Sequence, residues 1–203
     1  MNTFSYLFLI ALACSLCVRL WLAMRHMTHV RKHRDTVPES FAGRVPLEDH
    51  HKAADYTLTN TRTGMLALLY DSLLLLGWTL GGGLEWLDTQ WRAAALQPVM
   101  TGVGVMFSAM VIMTLLDLPF SLYHTFVIEE RFGFNRSTPG VFVTDLLKNA
   151  ALLVIIGGPL IALALWIMEA SGGLWWLYVW LVWMGFTLVM FCAYPAVIAP
   201  LFN

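Results

Sequence analysis

The sequence predicts an all-α, polytopic membrane protein with about five transmembrane helices. Of its 203 residues, 59% are hydrophobic and only 12% are charged, and its mean hydropathy is +0.69, which is above the range of ordinary soluble domains. The apolar residues form runs of about 20, the length that crosses a hydrocarbon core about 30 Å thick. Because these runs do not alternate polar and apolar residues as barrel strands do, they predict helices.

Five runs are long enough to cross a bilayer. They lie at about residues 3–24, 64–87, 94–117, 149–168 and 174–196. The first run lacks the basic residues that open a signal peptide and continues past Cys14 to Val18, which predicts an uncleaved span. Gly81-Gly82-Gly83 predicts a turn that ends the second helix. Tryptophans near the predicted outer ends of the fourth and fifth runs are typical of an interfacial aromatic belt.

Two long polar segments, at about 25–63 and 118–148, separate these runs and hold most of the basic residues. Ten of the twelve lysines and arginines are in them: Arg25, Arg31, Lys32, Arg34, Arg44, Lys52, Arg62, Arg131, Arg136 and Lys148. The positive-inside rule therefore predicts that both segments and the carboxy terminus are cytoplasmic and that the amino terminus is outside. This asymmetry, with a net charge of only −1, gives no support for a nucleic-acid partner.

Three charged residues lie within the predicted spans: Arg19, Asp71 and Asp117. Ionisable groups at this depth are costly and usually face a partner or a water-filled cavity. We expect Arg19 to pair with Asp71 or Asp117 in a polar chamber. The alternative is that Arg19 and Asp117 extend to the nearby membrane surface.

The segment from 118 to 139, LPFSLYHTFVIEERFGFNRSTP, interleaves aromatic and charged residues directly after an apolar run. A simple connector would be shorter and richer in small polar residues, so this composition indicates a surface that packs on another domain. No histidine or third carboxylate accompanies Glu129 and Glu130 at the spacing of a zinc protease, which disfavours a catalytic role for them. We expect Glu129, Glu130 and Arg131 to make charge-assisted hydrogen bonds to that domain. The other docking candidates are Phe132 and Phe134, as apolar anchors, and Asn135.

Three stretches together resemble the zinc-dependent CAAX prenyl endopeptidase family in its bacterial form. They are LPFSLYHTFVIEERFGFNRSTP at 118–139, LEDHHKAADYTLTNTR at 47–62 and YPAVIAPLFN at 194–203. The resemblance covers the family's amino-terminal membrane half, and in the second stretch His50, Lys52, Asp55 and Tyr56 fit the pattern, whereas His51 stands where the family has Gln. It implies a multi-pass protein, with the bacterial inner membrane as the expected location.

The same resemblance implies that the parent protein is a zinc metalloendopeptidase that hydrolyses peptide bonds. In that family a His-Glu-x-x-His motif and a later glutamate hold zinc, and neither is in this chain. We therefore expect no catalytic residue and no metal ligand here. The chain would instead form chamber walls in the lipid bilayer, admit a prenylated or membrane-associated peptide, and provide a docking surface for its own downstream protease domain.

The 34 positions from 170 to 203 carry no charge, which suggests that the chain stops where a cytoplasmic domain begins. One alternative is a non-catalytic assembly or regulatory module that has kept the family's helices. A small secondary transporter is less well supported, because the sequence shows no inverted repeat.

Overall fold

The structure is a computed structural model that describes residues 2–41 and 43–201. Every regular element in these ranges is helical, which confirms the all-α prediction. The main helices are α1 Thr3–Lys32, α2 Leu47–Thr79, α3 Gly83–Ala93, α4 Pro98–Phe132, α5 Pro139–Ala170 and α6 Gly172–Ala193. Single turns of 3-10 helix lie at Glu39–Phe41 and Ala199–Leu201.

Four of these helices, α1, α4, α5 and α6, are long and apolar enough to cross a membrane. A fifth span is obtained if α2 and α3 are taken together as one broken span. Their surfaces support this view, because large apolar side chains are exposed rather than buried: Leu73 is 68% exposed, Ile155 69% and Phe191 81%. Lipid tails are as apolar as these side chains, and an exposed surface of this kind marks contact with a membrane or with another protein surface.

The helices extend beyond the predicted spans. α1 continues to Lys32 instead of ending near residue 24, and α4 continues to Phe132 instead of ending near 117. α5 begins at Pro139, well before 149, and the Thr138 side chain accepts a hydrogen bond from the Val141 amide. Hydropathy marks where a chain leaves the hydrocarbon, whereas a helix ends only where a cap, glycine or proline stops it. The helices are therefore longer than the predicted spans, and the limits of the spans stay a prediction.

The second predicted span, 64–87, is interrupted. α2 begins at Leu47, so the polar stretch at 47–62 is continuous with the apolar part of the helix. It ends at Thr79, and Gly82 then takes a φ of +79°, a conformation that favours glycine. A side chain at Gly81 would also approach the Gly77 carbonyl oxygen to 2.6 Å. The glycine triplet thus separates α2 from α3.

Three segments of π-helix are found in the described chain, at His124–Glu129 within α4, Leu153–Gly157 within α5 and Tyr194–Ile198 after α6. α4 contains Pro119 upstream of its π segment, Pro159 follows the second segment, and Pro195 lies in the third. Pro159 has no amide hydrogen to donate to the carbonyl four residues before it, and that residue, Ile155, lies within the second segment, where wider hydrogen bonding accommodates the loss. π segments are common at functional sites.

The described chain forms two compact units. The first contains α1, α2 and the part of α4 in Leu115–Asn135, and α1 packs along α2. The second contains α3, the first half of α4, and the chain from Arg136 onward. Within the second unit, Trp91 of α3 donates from Nε1 to the Ser108 hydroxyl of α4 at 2.8 Å.

Candidate functional site

The end of α4 forms a tight reversal that organises the predicted docking segment. Gly133 has a φ of +73°, its amide donates to the Glu130 carbonyl at 3.0 Å, and the Phe134 amide donates to the Glu129 carbonyl at 2.8 Å. These two bonds form a Schellman motif, in which a left-handed glycine satisfies the last helical carbonyls. The Asn135 side-chain amide also donates to the Glu130 carboxylate at 2.9 Å. Glu130 and Asn135 therefore brace the turn.

Two phenylalanines of this segment pack on α2. The ring of Tyr56 lies edge to face with Phe132, at 5.4 Å between centroids, and with Phe134, at 5.0 Å. The Lys52 ammonium lies 5.4 Å from the Phe134 centroid, a cation–π contact. Phe132 is only 8% exposed and Phe134 is 49% exposed. Phe132 thus anchors this segment within the chain, and only Phe134 retains a large apolar surface.

Glu129 is linked to α2 by polar contacts that run through a histidine. His124 Nδ1 lies 3.5 Å from the Glu129 carboxylate, and His124 Nε2 lies 3.2 Å from the Asn60 side-chain oxygen. His124 and Asn60 were not predicted from the sequence as site residues. Both belong to the stretches that resemble the family, in LYHTF and LTNTR, but they are 64 positions apart and nothing in their spacing places them together.

Arg131 lines a pocket between α2 and α4 with a volume of about 600 Å³. Arg62, which was not predicted from the sequence as a site residue, is the second cation of its wall. Leu66, Phe120 and Tyr123 form part of the apolar wall. The pocket therefore combines positive charge with apolar surface.

Ion pairs connect the residues that follow α1 to α2. Arg34 donates from Nε and Nη2 to the two carboxylate oxygens of Asp55, each at 2.8 Å. The hydrogen bond from Arg34 is the main reason that the pKa of Asp55 is below its usual range; burial opposes it, and the charges of Arg34, His51 and Arg131 add to it. His51 Nε2 lies 3.0 Å from the Asp35 carboxylate.

The three charges predicted within the spans are only partly brought together. Arg19 and Asp71 line a cavity of about 170 Å³ between α1 and α2, with Ser15 and Ser72. Arg19 forms no ion pair within residues 2–41 and 43–201, so the direct pair with Asp71 or Asp117 is not formed. An exposed arginine of this length can reach the membrane surface, as in the alternative interpretation.

Asp117 follows a residue that links α4 to α2. The hydroxyl of Tyr70, next to Asp71, donates to the Leu116 carbonyl at 3.1 Å, and the rings of Tyr70 and Phe120 are 5.0 Å apart. Asp71 and Asp117 thus each adjoin this contact in the sequence. In the described part of the chain, no three His, Cys, Asp or Glu side chains are grouped so that they could hold a metal ion.

A family model described as CAAX prenyl protease N-terminal, five membrane helices, matches residues 26–203. The chain belongs to the CAAX prenyl protease family. The CAAX prenyl protease 1 homolog of Caenorhabditis elegans is 31% identical over 201 residues, covering 98% of this chain and 45% of the relative. The Arabidopsis thaliana homolog is 32% identical, covering 90% of this chain and 44% of the relative.

A solved structure has the same fold. The crystal structure of S. mikatae Ste24p aligns with a TM-score of 0.87 at 22% identity, covering 100% of this chain and 48% of that one. This chain therefore spans about half the length of the relatives it matches. The comparisons confirm the predicted family, its amino-terminal membrane domain and a multi-pass membrane protein. These relatives are eukaryotic, so a bacterial inner membrane stays a prediction.

Proposed function

We propose that this chain is the membrane half of a CAAX-type zinc metalloendopeptidase. It would form chamber walls that admit a prenylated or membrane-associated peptide, and a docking surface for the catalytic domain. The observation that carries this proposal is the fold match over the whole chain to about half of Ste24p.

Zinc, if the complete protein holds it, would have its ligands in another part of the polypeptide. The described residues offer no grouped set of His, Cys, Asp and Glu side chains, and a protease zinc needs three protein ligands. The contribution of this chain is then to bind and position. Arg19, Asp71 and Asp117 are our candidates for polar residues of the chamber wall.

The docking surface that we propose is the exposed side of the turn after α4. Glu130, Arg131 and Phe134 are exposed there, and the Schellman motif at Gly133 fixes the direction in which they project. Glu129 and Asn135 would act through their hydrogen-bonded neighbours, and Phe132 would keep the segment on α2. A rigid turn lowers the entropy lost when a partner binds.

We propose the orientation that the basic residues indicate, with the amino terminus outside and the segments at 25–63 and 118–148 cytoplasmic. In a cysteine-free background, Gln90→Cys should react with a membrane-impermeant maleimide in intact cells, whereas Glu39→Cys should react only after lysis. The reverse pattern would overturn this orientation. The inner membrane of a bacterium is the location that we propose for it.

The first test compares the detergent-purified product of the complete reading frame with this chain alone. We expect stoichiometric zinc, and chelator-sensitive cleavage of a farnesylated peptide ending in a CAAX sequence, from the complete product only. Absence of zinc and cleavage from a complete, folded product would favour the non-catalytic membrane module instead.

The docking surface has its own test. The complete protein would be expressed as two fragments, divided after this chain, and their association measured by co-purification. Phe134→Ala combined with Arg131→Gln should weaken association by at least about tenfold, since apolar and charge-assisted contacts are both removed. Trp86→Ala combined with Arg92→Gln changes an exposed aromatic residue and an exposed arginine elsewhere and serves as the matched control. Equal association of both variants would exclude this surface.

A further inference from the structure

The charged residues that line the pocket between α2 and α4 are all positive. Its volume is about 600 Å³, Arg62 and Arg131 line it, and none of its lining residues is acidic. Both arginines are exposed, and neither forms an ion pair with any other residue that the structure describes. Two guanidinium groups on one pocket wall repel each other, and an anion bound between them offsets this repulsion.

The carboxylates closest along the chain to Arg62 and Arg131 already have partners. Asp55 accepts two hydrogen bonds from Arg34, each at 2.8 Å. Glu129 lies beside His124, and Glu130 accepts from Asn135. Since these acids are engaged, the two arginines keep their capacity to bind an anion from outside the described chain.

Hydroxyl groups add a second kind of donor. Thr63 and Tyr123 line the pocket, and their hydroxyls make no hydrogen bond to another described residue. The Thr59 hydroxyl is different, because it donates to the Asp55 carbonyl oxygen at 2.8 Å. Thr63 and Tyr123 can therefore donate to the same anion as the arginines. Planar guanidinium groups with neighbouring hydroxyls suit the oxygens of a phosphate.

The pocket lies where the apolar parts of two helices end. Leu66 is at the start of the apolar stretch of α2, and Phe120 follows the apolar stretch of α4. Leu66 is 58% exposed. A bound molecule could thus place its charged group against the arginines and an alkyl chain against Leu66, at the depth where phospholipid headgroups meet hydrocarbon. Basic pockets between membrane helices bind anionic headgroups in this way.

We propose that this pocket binds the phosphate-bearing headgroup of an anionic membrane phospholipid. A net negative lipid is favoured over a zwitterionic one because no acidic lining residue is present to hold a choline group. The inference does not depend on peptidase activity. It shares Arg131 with the proposed docking surface, whereas Arg62 lines the pocket and lies outside that surface. Arg62→Gln alone should therefore reduce the lipid preference and leave the association of the two fragments unchanged.

The test is native mass spectrometry of the complete protein in a mild detergent, titrated with phosphatidylglycerol or phosphatidylcholine. The wild type should bind one phosphatidylglycerol at least about tenfold more tightly than phosphatidylcholine. Arg62→Gln with Arg131→Gln should remove this preference, because two charge-assisted contacts are lost. Arg44→Gln with Arg136→Gln makes the same change in net charge at exposed positions outside the pocket, and should retain it.

Two further arms identify the ligand source. Inorganic phosphate at millimolar concentration should not displace the lipid, and Leu66→Gln should weaken lipid binding without affecting folding, judged by the melting temperature. Displacement by phosphate would show a site for the free anion and overturn the lipid assignment. Equal binding of both lipids, or an unchanged preference in the Arg62→Gln single variant and the double variant, would also overturn it.

Discussion

Gly104 is the position where a single methyl group should most clearly test the packing of the second compact unit. A Cβ atom there would lie 2.6 Å from Cδ2 and Cε3 of Trp91, well inside ordinary van der Waals contact. The Trp91 indole is held in place because its Nε1 donates to Ser108, whose hydroxyl in turn donates to the Gly104 carbonyl at 2.7 Å. Gly104→Ala must therefore displace the ring and break the Trp91–Ser108 bond.

Three contributions determine how much unfolding free energy Gly104→Ala should lose. Overpacking costs about 1–3 kcal/mol and loss of the hydrogen bond about 0.5–1.5 kcal/mol, whereas alanine is favoured over glycine in a helix by about 1 kcal/mol. The net loss of unfolding free energy is then about 2 kcal/mol, or about 4–8 °C in melting temperature for a chain of this length.

Gly185→Ala is the matched control, because that glycine is also helical and a Cβ atom there would meet nothing within 4 Å. The melting temperature of each detergent-purified variant would be followed by tryptophan fluorescence. We expect Gly185→Ala to melt at or slightly above the wild type and Gly104→Ala to melt below it. If both melt at the same temperature, Trp91 does not pack against Gly104 as the structure has it.

Three further variants test the first unit. Phe132→Ala removes a buried ring and should lower the unfolding free energy by about 3–5 kcal/mol in a thermal melt, with the half-exposed Phe134→Ala costing less than half as much. Tyr70→Phe should cost about 0.5–1.5 kcal/mol for its bond to Leu116, and an unchanged melt would contradict that bond. The pKa of Asp55 is lowered on folding, so the stabilisation from its ionised form is present above the unfolded pKa of about 4 and is lost as pH falls through the folded value. Asp55→Asn should remove this acid sensitivity from thermal melts between pH 3 and pH 6, and an unchanged pH profile would contradict the Arg34–Asp55 contribution.

The membrane class and the family could be read from the sequence because both depend on local features. The free energy of transferring an apolar run into lipid is close to a sum over its residues, so it can be obtained from the sequence. The LPFSLYHTFVIEERFGFN stretch likewise carries its family resemblance within a single segment. The ends of the helices could not be predicted in this way. The continuation of α1 to Lys32 and of α4 to Phe132 is made by polar residues that hydropathy assigns to the connecting segments.

Glu129, Glu130 and Phe132 were selected from the sequence as a group facing another domain, but their immediate partners could not be. Glu130 braces the turn through Asn135, Glu129 lies beside His124, and Phe132 packs on Tyr56. A glutamate or a phenylalanine can contact another domain as readily as it can contact its own chain. Composition alone therefore does not show which of these side chains have partners within this chain.

The sequence by itself determined that this is a helical, multi-pass membrane protein of the CAAX prenyl protease family, since burial in lipid and family motifs are properties of contiguous residues. Only the tertiary structure decided that Arg34 binds Asp55, that His124 reaches Asn60, and that Arg62 and Arg131 share one pocket. These residues are 21, 64 and 69 positions apart, and their meeting depends on how α2 packs against α1 and α4. Such packing is set by the shapes of whole helix faces, which no local pattern encodes.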